Sequence, residues 1–191
     1  AGSRKFYADF PIYSLKDING KKIRVQQNPT SVMAFEALGA APVAMSFGEV
    51  YTAIQQNVID GAENNELALT VNKHGEVAHY YSYSEHQMIP DLLLANLRFL
   101  DSLEQEEHAI FDQAVKVANQ YELSEYDKAT EYAINTSTNE MRDKFLKIDK
   151  QQFIEASKKV KDEMLESNPM VLNLYEFIQA INAKYESAQV G

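Results

Sequence analysis

The chain has 191 residues, 28 of them acidic and 18 basic, a formal charge of -10, and no cysteine. That length suits one ample core or two small domains. The charge repels a phosphate backbone with no basic tract to offset it, which argues against nucleic acid, and the lack of cysteine excludes disulfides and thiolate metal sites.

In chain order, Lys22–Gln26 reads as a strand after the Asn19-Gly20 turn, and its alternation puts Ile23 and Val25 on one face and Arg24 on the other. Pro29, Thr30 and Ser31 supply turn and cap chemistry for a helix over Val32–Leu38, which Gly39 ends. Pro42–Met45 is an apolar run of strand length. Gly48 opens a helix on which Val50, Ile54 and Val58 recur at helical spacing, so that this face packs on a sheet while Gln55, Gln56 and Asn57 meet water. Asp60-Gly61 breaks it. Polar Glu63, Asn64 and Asn65 follow in a turn, where an open α/β sheet places a binding crevice.

Leu67–Tyr81 reads as a helix that Gly75 weakens by about 1 kcal/mol relative to alanine. Tyr80–Met88 reads as extended, and Leu92–Leu100 as a strongly apolar strand. From Ser102 the run SLEQEEHAIFDQAVKV starts a helix with acids in its first turn. Glu104–Phe145, free of proline and glycine, suits one or two long helices, and Lys150–Glu166 and Met170–Glu186 are the last two. Alternating elements followed by long helices predict an α/β fold.

Residues 41–65, APVAMSFGEVYTAIQQNVIDGAENN, resemble the signature segment of the DctP-type solute-binding proteins of TRAP transporters, the periplasmic receptors for organic acids. AGSRKFY, DINGKKIRVQQ and EALGA upstream, and KHGEVAHYYSYSEHQMIPDLLLAN downstream, extend the likeness, closely over about residues 1–104 and loosely beyond. The resemblance implies an α/β, periplasmic-binding-protein-like lobe with a mixed sheet and long C-terminal helices, the N-terminal lobe being largely absent from this chain. Residues 1–89 are then a ligand-binding lobe, 90–129 a strand and helix given to the other lobe and the hinge, and 130–191 C-terminal helices packing on the first lobe. It also implies an exported periplasmic protein that has lost its signal. The missing N-terminal half is expected as a separate chain or a swapped copy.

Capture of a carboxylate asks for a planar cation with two parallel donors, which is arginine. Arg24 is the leading candidate, because the resemblance gives it the bidentate clasp on the ligand carboxylate. Arg4 matches the first arginine of the family and Asn64 the asparagine whose amide donates to the same carboxylate. Phe47 corresponds to the aromatic that packs on the ligand's face. Glu63 is expected to orient an arginine or a water, since an anion beside an anionic ligand is repulsive. Tyr51, one turn beyond Phe47, faces either cleft or core, and His86 corresponds to a histidine in a polar network near the cleft.

The implied function is capture of a carboxylate-bearing solute, a sugar acid such as a uronate first and a C4 dicarboxylate second, and its delivery to TRAP membrane permease subunits. No cofactor is expected. His74 and His79 are five apart and do not share a helix face, which gives a metal little support, and no nucleophile motif or phosphate loop points to an enzyme. The rival reading is an acidic α/β interaction module without a small ligand.

Overall fold

The computed structural model describes residues 2–189; Ala1, Val190 and Gly191, at the ends of the expected domains, lie outside the described residues. Its strands are β1 (Ser3–Ala8), β2 (Lys22–Val25), β3 (Ala41–Ala44), β4 (Gly61–Asn64), β5 (Tyr80–Met88) and β6 (Lys144–Leu146). Its helices are α1 (Leu15–Ile18), α2 (Pro29–Ala37), α3 (Val50–Gln55), α4 (Leu67–Thr70), α5 (Leu97–Asp101), α6 (Gln105–Thr136), α7 (Gln151–Ser167) and α8 (Pro169–Gln189). The strands form one mixed sheet in the order β3-β2-β4-β1-β5-β6. β2 runs parallel to β3 and β4, and β5 parallel to β6, whereas β1 is antiparallel to both its neighbours, β4 and β5. The start of β1 therefore lies beside the carboxyl ends of the other five strands.

β1 has no counterpart among the elements read from the sequence, and its position explains why. A strand with neighbours on both edges and cover on both faces needs no polar side, so Phe6, Tyr7 and Ala8 are all fully buried and no alternation marks them. Phe6 and Ala8 join Ile23, Val25, Phe35 and Phe153 in the core on one face, and Tyr7 joins Val50, Ile54, Leu69 and Tyr81 on the other. Arg24 lies between Ile23 and Val25 and points to the opposite face, as the alternation predicts.

α2 starts earlier than expected, because the Asn28 side chain accepts from the Ser31 N–H at 2.8 Å and Pro29 fits the first helical position. Gly39, at φ +83°, ends it in the left-handed region. α6 begins with Glu104 and Glu107 satisfying each other's backbone N–H groups.

Five local expectations need correction. The helix from Gly48 begins as a single 3-10 turn (Phe47–Glu49) and stops at Gln55; Asn57 turns the chain at φ +55°, leaving Val58 half exposed instead of on the Val50 face. Glu63 and Asn64 close a strand and do not sit in a turn. The expected helix over Leu67–Tyr81 ends at Thr70, because Lys73 is left-handed and Gly75 is pressed against Asp143 and Met141, leaving no room for a Cβ. Leu92–Leu100 is no strand: 89–96 is irregular, Leu97–Asp101 is helical, and Leu92 and Leu94 are 73% and 82% exposed. A strand needs a hydrogen-bonding neighbour, and no described strand lies beside this segment. Phe145 leaves the helical run for β6, where its ring packs against Tyr81 at 5.3 Å.

Candidate functional site

The carboxyl edge of the sheet gathers most of the residues singled out in the sequence. Arg24, one residue before the end of β2, is buried with 4% exposure. Its Nε and Nη2 both donate to the Met45 carbonyl, at 3.1 and 3.0 Å. That backbone oxygen occupies one side of the guanidinium and leaves the Nη1/Nη2 fork free of hydrogen bonds among the described residues. Phe47 stands 5.4 Å from the guanidinium carbon, in cation–π range. Among the described residues no carboxylate is paired with Arg24, and Glu63 acts on it only through space. Burial lowers its pKa, but a guanidinium stays charged.

Arg4 is used differently. Its Nε and Nη2 meet the Glu63 carboxylate, Nη2 also donates to the Glu63 carbonyl at 3.0 Å, and Nη1 donates to Asn64 Oδ1 at 2.9 Å. One of its five N–H groups remains. Glu63 is buried, and the desolvation raises its pKa against the lowering by the Arg4 hydrogen bonds and charge. Its carboxylate and carbonyl both face Arg4.

His86 reaches this group through an irregularity in β5, where the pairing with β1 shifts between Arg4↔Gln87 and Phe6↔Ser82. The ring stacks on Phe6 with centroids 4.4 Å apart. Its Nδ1 lies 2.7 Å from Ser84 Oγ, and its Nε2, 3.9 Å from Glu63 Oε2, has no hydrogen-bond partner. Burial first, and the Arg4 charge second, hold its pKa down to about 3, so the ring is neutral near pH 7.

Asn64 ends β4 with its amide oriented. Oδ1 accepts from Arg4 Nη1 and from the Asn65 N–H, both at 2.9 Å, so the Nδ2 end is left to donate. Tyr51 does not join the group: its hydroxyl donates to Glu76 at 3.0 Å. Glu76 lines a hollow of about 440 Å³ with Asp9, Asp60 and His79, beside the carboxyl end of β1 and therefore at the opposite sheet edge.

Three contributors had no sequence signal. Met45 acts through a backbone carbonyl, which residue type does not announce. Tyr7 and His74 form a buried layer behind Phe47, with the Tyr7 hydroxyl 2.7 Å from His74 Nδ1 and the His74 ring edge-on to Phe47 at 5.3 Å. Burial, then the Arg24 charge, lowers the His74 pKa to about 4, and burial raises that of Tyr7. Among the described residues no group of three or more His, Cys, Asp or Glu is placed to hold a metal ion.

A buried guanidinium that no carboxylate touches among the described residues, an aromatic ring and an oriented amide thus lie at the carboxyl edge of an α/β sheet, where sheets of this kind place ligand crevices. Residues 1–168 match the model of the bacterial extracellular solute-binding protein family 7, DctP, and the chain belongs to that family. A TRAP periplasmic solute-binding protein from Anaerococcus prevotii with bound D-glucuronate superimposes with a TM-score of 0.92 at 45% identity, over 97% of this chain and 60% of that one. A second, from Xanthobacter autotrophicus with bound β-D-galacturonate, gives 0.88 at 35% identity over 94% and 60%. An uncharacterized protein of Salmonella typhimurium is 42% identical over 94% of this chain. The chain spans about half the length of that relative, 55%.

Proposed function

We propose that the chain is the carboxylate-binding lobe of a periplasmic TRAP receptor for a sugar acid of the uronate class, which it delivers to membrane permease subunits. The observation that carries this reading is Arg24. A desolvated cation that no carboxylate touches is a standing cost in a folded protein, and an incoming carboxylate relieves it. The free Nη1/Nη2 fork matches the two carboxylate oxygens, Asn64 Nδ2 adds a donor beside them, and Phe47 offers its face to a pyranose ring without demanding hydrogen bonds. Arg4 contributes its one remaining N–H. Its main work is holding Asn64, while Glu63 keeps Arg4 in place.

Charge-assisted hydrogen bonds contribute about 1.5 to 3 kcal/mol each, so three or four of them account for most of the roughly 8 kcal/mol of a micromolar complex. The similarity to two uronate complexes supports the sugar acid over a C4 dicarboxylate. The apolar strip of 90–129 fits the same picture. Leu93, Leu94, Phe99, Phe111 and Val115 line an open hollow of about 470 Å³, and an apolar surface of that kind belongs against another lobe or chain.

Titration calorimetry of the full-length protein with D-glucuronate, D-galacturonate and succinate tests the reading. The expected result is micromolar binding of a uronate, weaker binding of succinate, and a loss of at least a hundredfold in Arg24→Ala, equivalent to about 3 kcal/mol. Undiminished uronate binding by Arg24→Ala, or no binding of any acid by the wild type, overturns it.

A further inference from the structure

The amide of Asn64 is fixed from behind by groups that have no place in ligand contact. Besides the two donors on Oδ1, the Asn64 carbonyl accepts from the hydroxyl of Tyr81 at 2.9 Å, and Tyr81 is fully buried on β5, which lies on the far side of β1 from β4. Two residues further on, the Glu66 carboxylate takes both contacts of Lys5 Nζ, at 2.8 and 3.1 Å. Lys5 is the residue that pairs with Asn64 across the β1–β4 ladder. The turn from Asn64 to Glu66 is thus clamped to β1 through Lys5 and to β5 through Tyr81.

The Lys5–Glu66 pair is itself unusual. Its side chains are only 7% and 6% exposed, and the ammonium lies 5.5 Å from the centre of the Tyr83 ring. Burying two charges costs desolvation that their attraction only just offsets, and an apolar pair of the same size is commonly as stable or more so. What such a pair supplies that an apolar one does not is direction. Here it fixes the distance between β1 and the turn that follows Asn64 at the end of β4. An asparagine at a strand end otherwise samples several rotamers, and freezing one before the ligand arrives removes that ordering cost from binding.

We propose that Lys5, Glu66 and Tyr81 are positioning residues that preorganise Asn64 Nδ2 as a donor to the ligand carboxylate; the proposal rests on the receptor reading above. Tyr81→Phe removes one hydroxyl and keeps the ring, and Lys5→Met/Glu66→Leu removes both charges together, so that neither is left buried alone. In the full-length protein, each is made with Asn64 and with Asn64→Ala, and D-glucuronate affinity is measured by calorimetry. With Asn64 present, each is expected to weaken binding about tenfold, the weight of one hydrogen bond to a charged group. In the Asn64→Ala background neither weakens it further, because the effect runs through that amide.

In ligand-free protein, the heteronuclear NOE of the Asn64 side-chain amide is expected to fall in both variants. Equal losses in the two backgrounds, no loss with Asn64 present, or an unchanged NOE overturns the proposal. Absence of uronate binding in the wild type overturns the receptor reading instead, and the NOE then decides the positioning claim by itself.

Discussion

His86 is expected to make the native protein sensitive to mild acid, and the size of the effect follows from its surroundings. Its ring is sandwiched against Phe6, edge-on to Phe35 at 5.3 Å, and holds a pKa of about 3. In the unfolded chain the ordinary value is about 6.5. Between those two values the unfolded state binds a proton that the native state refuses, so stability is complete above about pH 6.5 and drains away as the pH falls. The slope is about 1.4 kcal/mol per pH unit, which gives about 2 kcal/mol lost between pH 6.5 and pH 5 from this group. His86→Phe keeps a ring against Phe6 and Phe35 and removes the titration. Urea unfolding at pH 7 and pH 5 is expected to show the wild type losing about 2 kcal/mol more than the variant. His74 titrates alike in both proteins and cancels. Parallel losses would refute the reasoning, and would mean that His86 accepts its proton in the native state with Glu63 Oε2, 3.9 Å away, as counter-charge.

Two further outcomes are expected. A Cβ at Gly61 would stand 2.8 Å from the Tyr7 carbonyl and 2.9 Å from Ala8 Cβ, so Gly61→Ala should destabilise by about 1 to 3 kcal/mol in urea, and an unchanged midpoint would contradict the β1–β4 register. A polypeptide limited to these 191 residues should self-associate in sedimentation through its apolar strip, and Leu93→Lys/Phe99→Lys should reduce this; a monodisperse wild-type monomer would contradict the proposed cover.

Short-range chemistry made part of this molecule legible. The alternation Ile23, Arg24, Val25 placed the arginine on its own face, and Pro29 with Gly39 bracketed α2 to within a few residues. The central strand β1 left no period to read because both of its faces are covered. Leu92–Leu100 misled for the converse reason: it is apolar enough for a strand, but pairing depends on a neighbour that composition does not report. Within the site, the family resemblance picked out Arg24, Asn64 and Phe47, and the structure gathers them. It gave Arg24 the main clasp on the carboxylate but did not show that Arg4 is taken up by Glu63 and Asn64. That division depends on Glu63 lying under Arg4 and a backbone carbonyl lying under Arg24, and Tyr51, adjacent on the helix, turns to Glu76 instead.

The most direct test of Arg24 as the ligand clasp is a crystal structure of the full-length protein grown with D-glucuronate. The carboxylate oxygens are expected across Nη1 and Nη2 of Arg24, one of them within about 3 Å of Asn64 Nδ2, with the pyranose ring on Phe47. A uronate held elsewhere, with the Arg24 fork turned to a carboxylate of the protein itself, would contradict it.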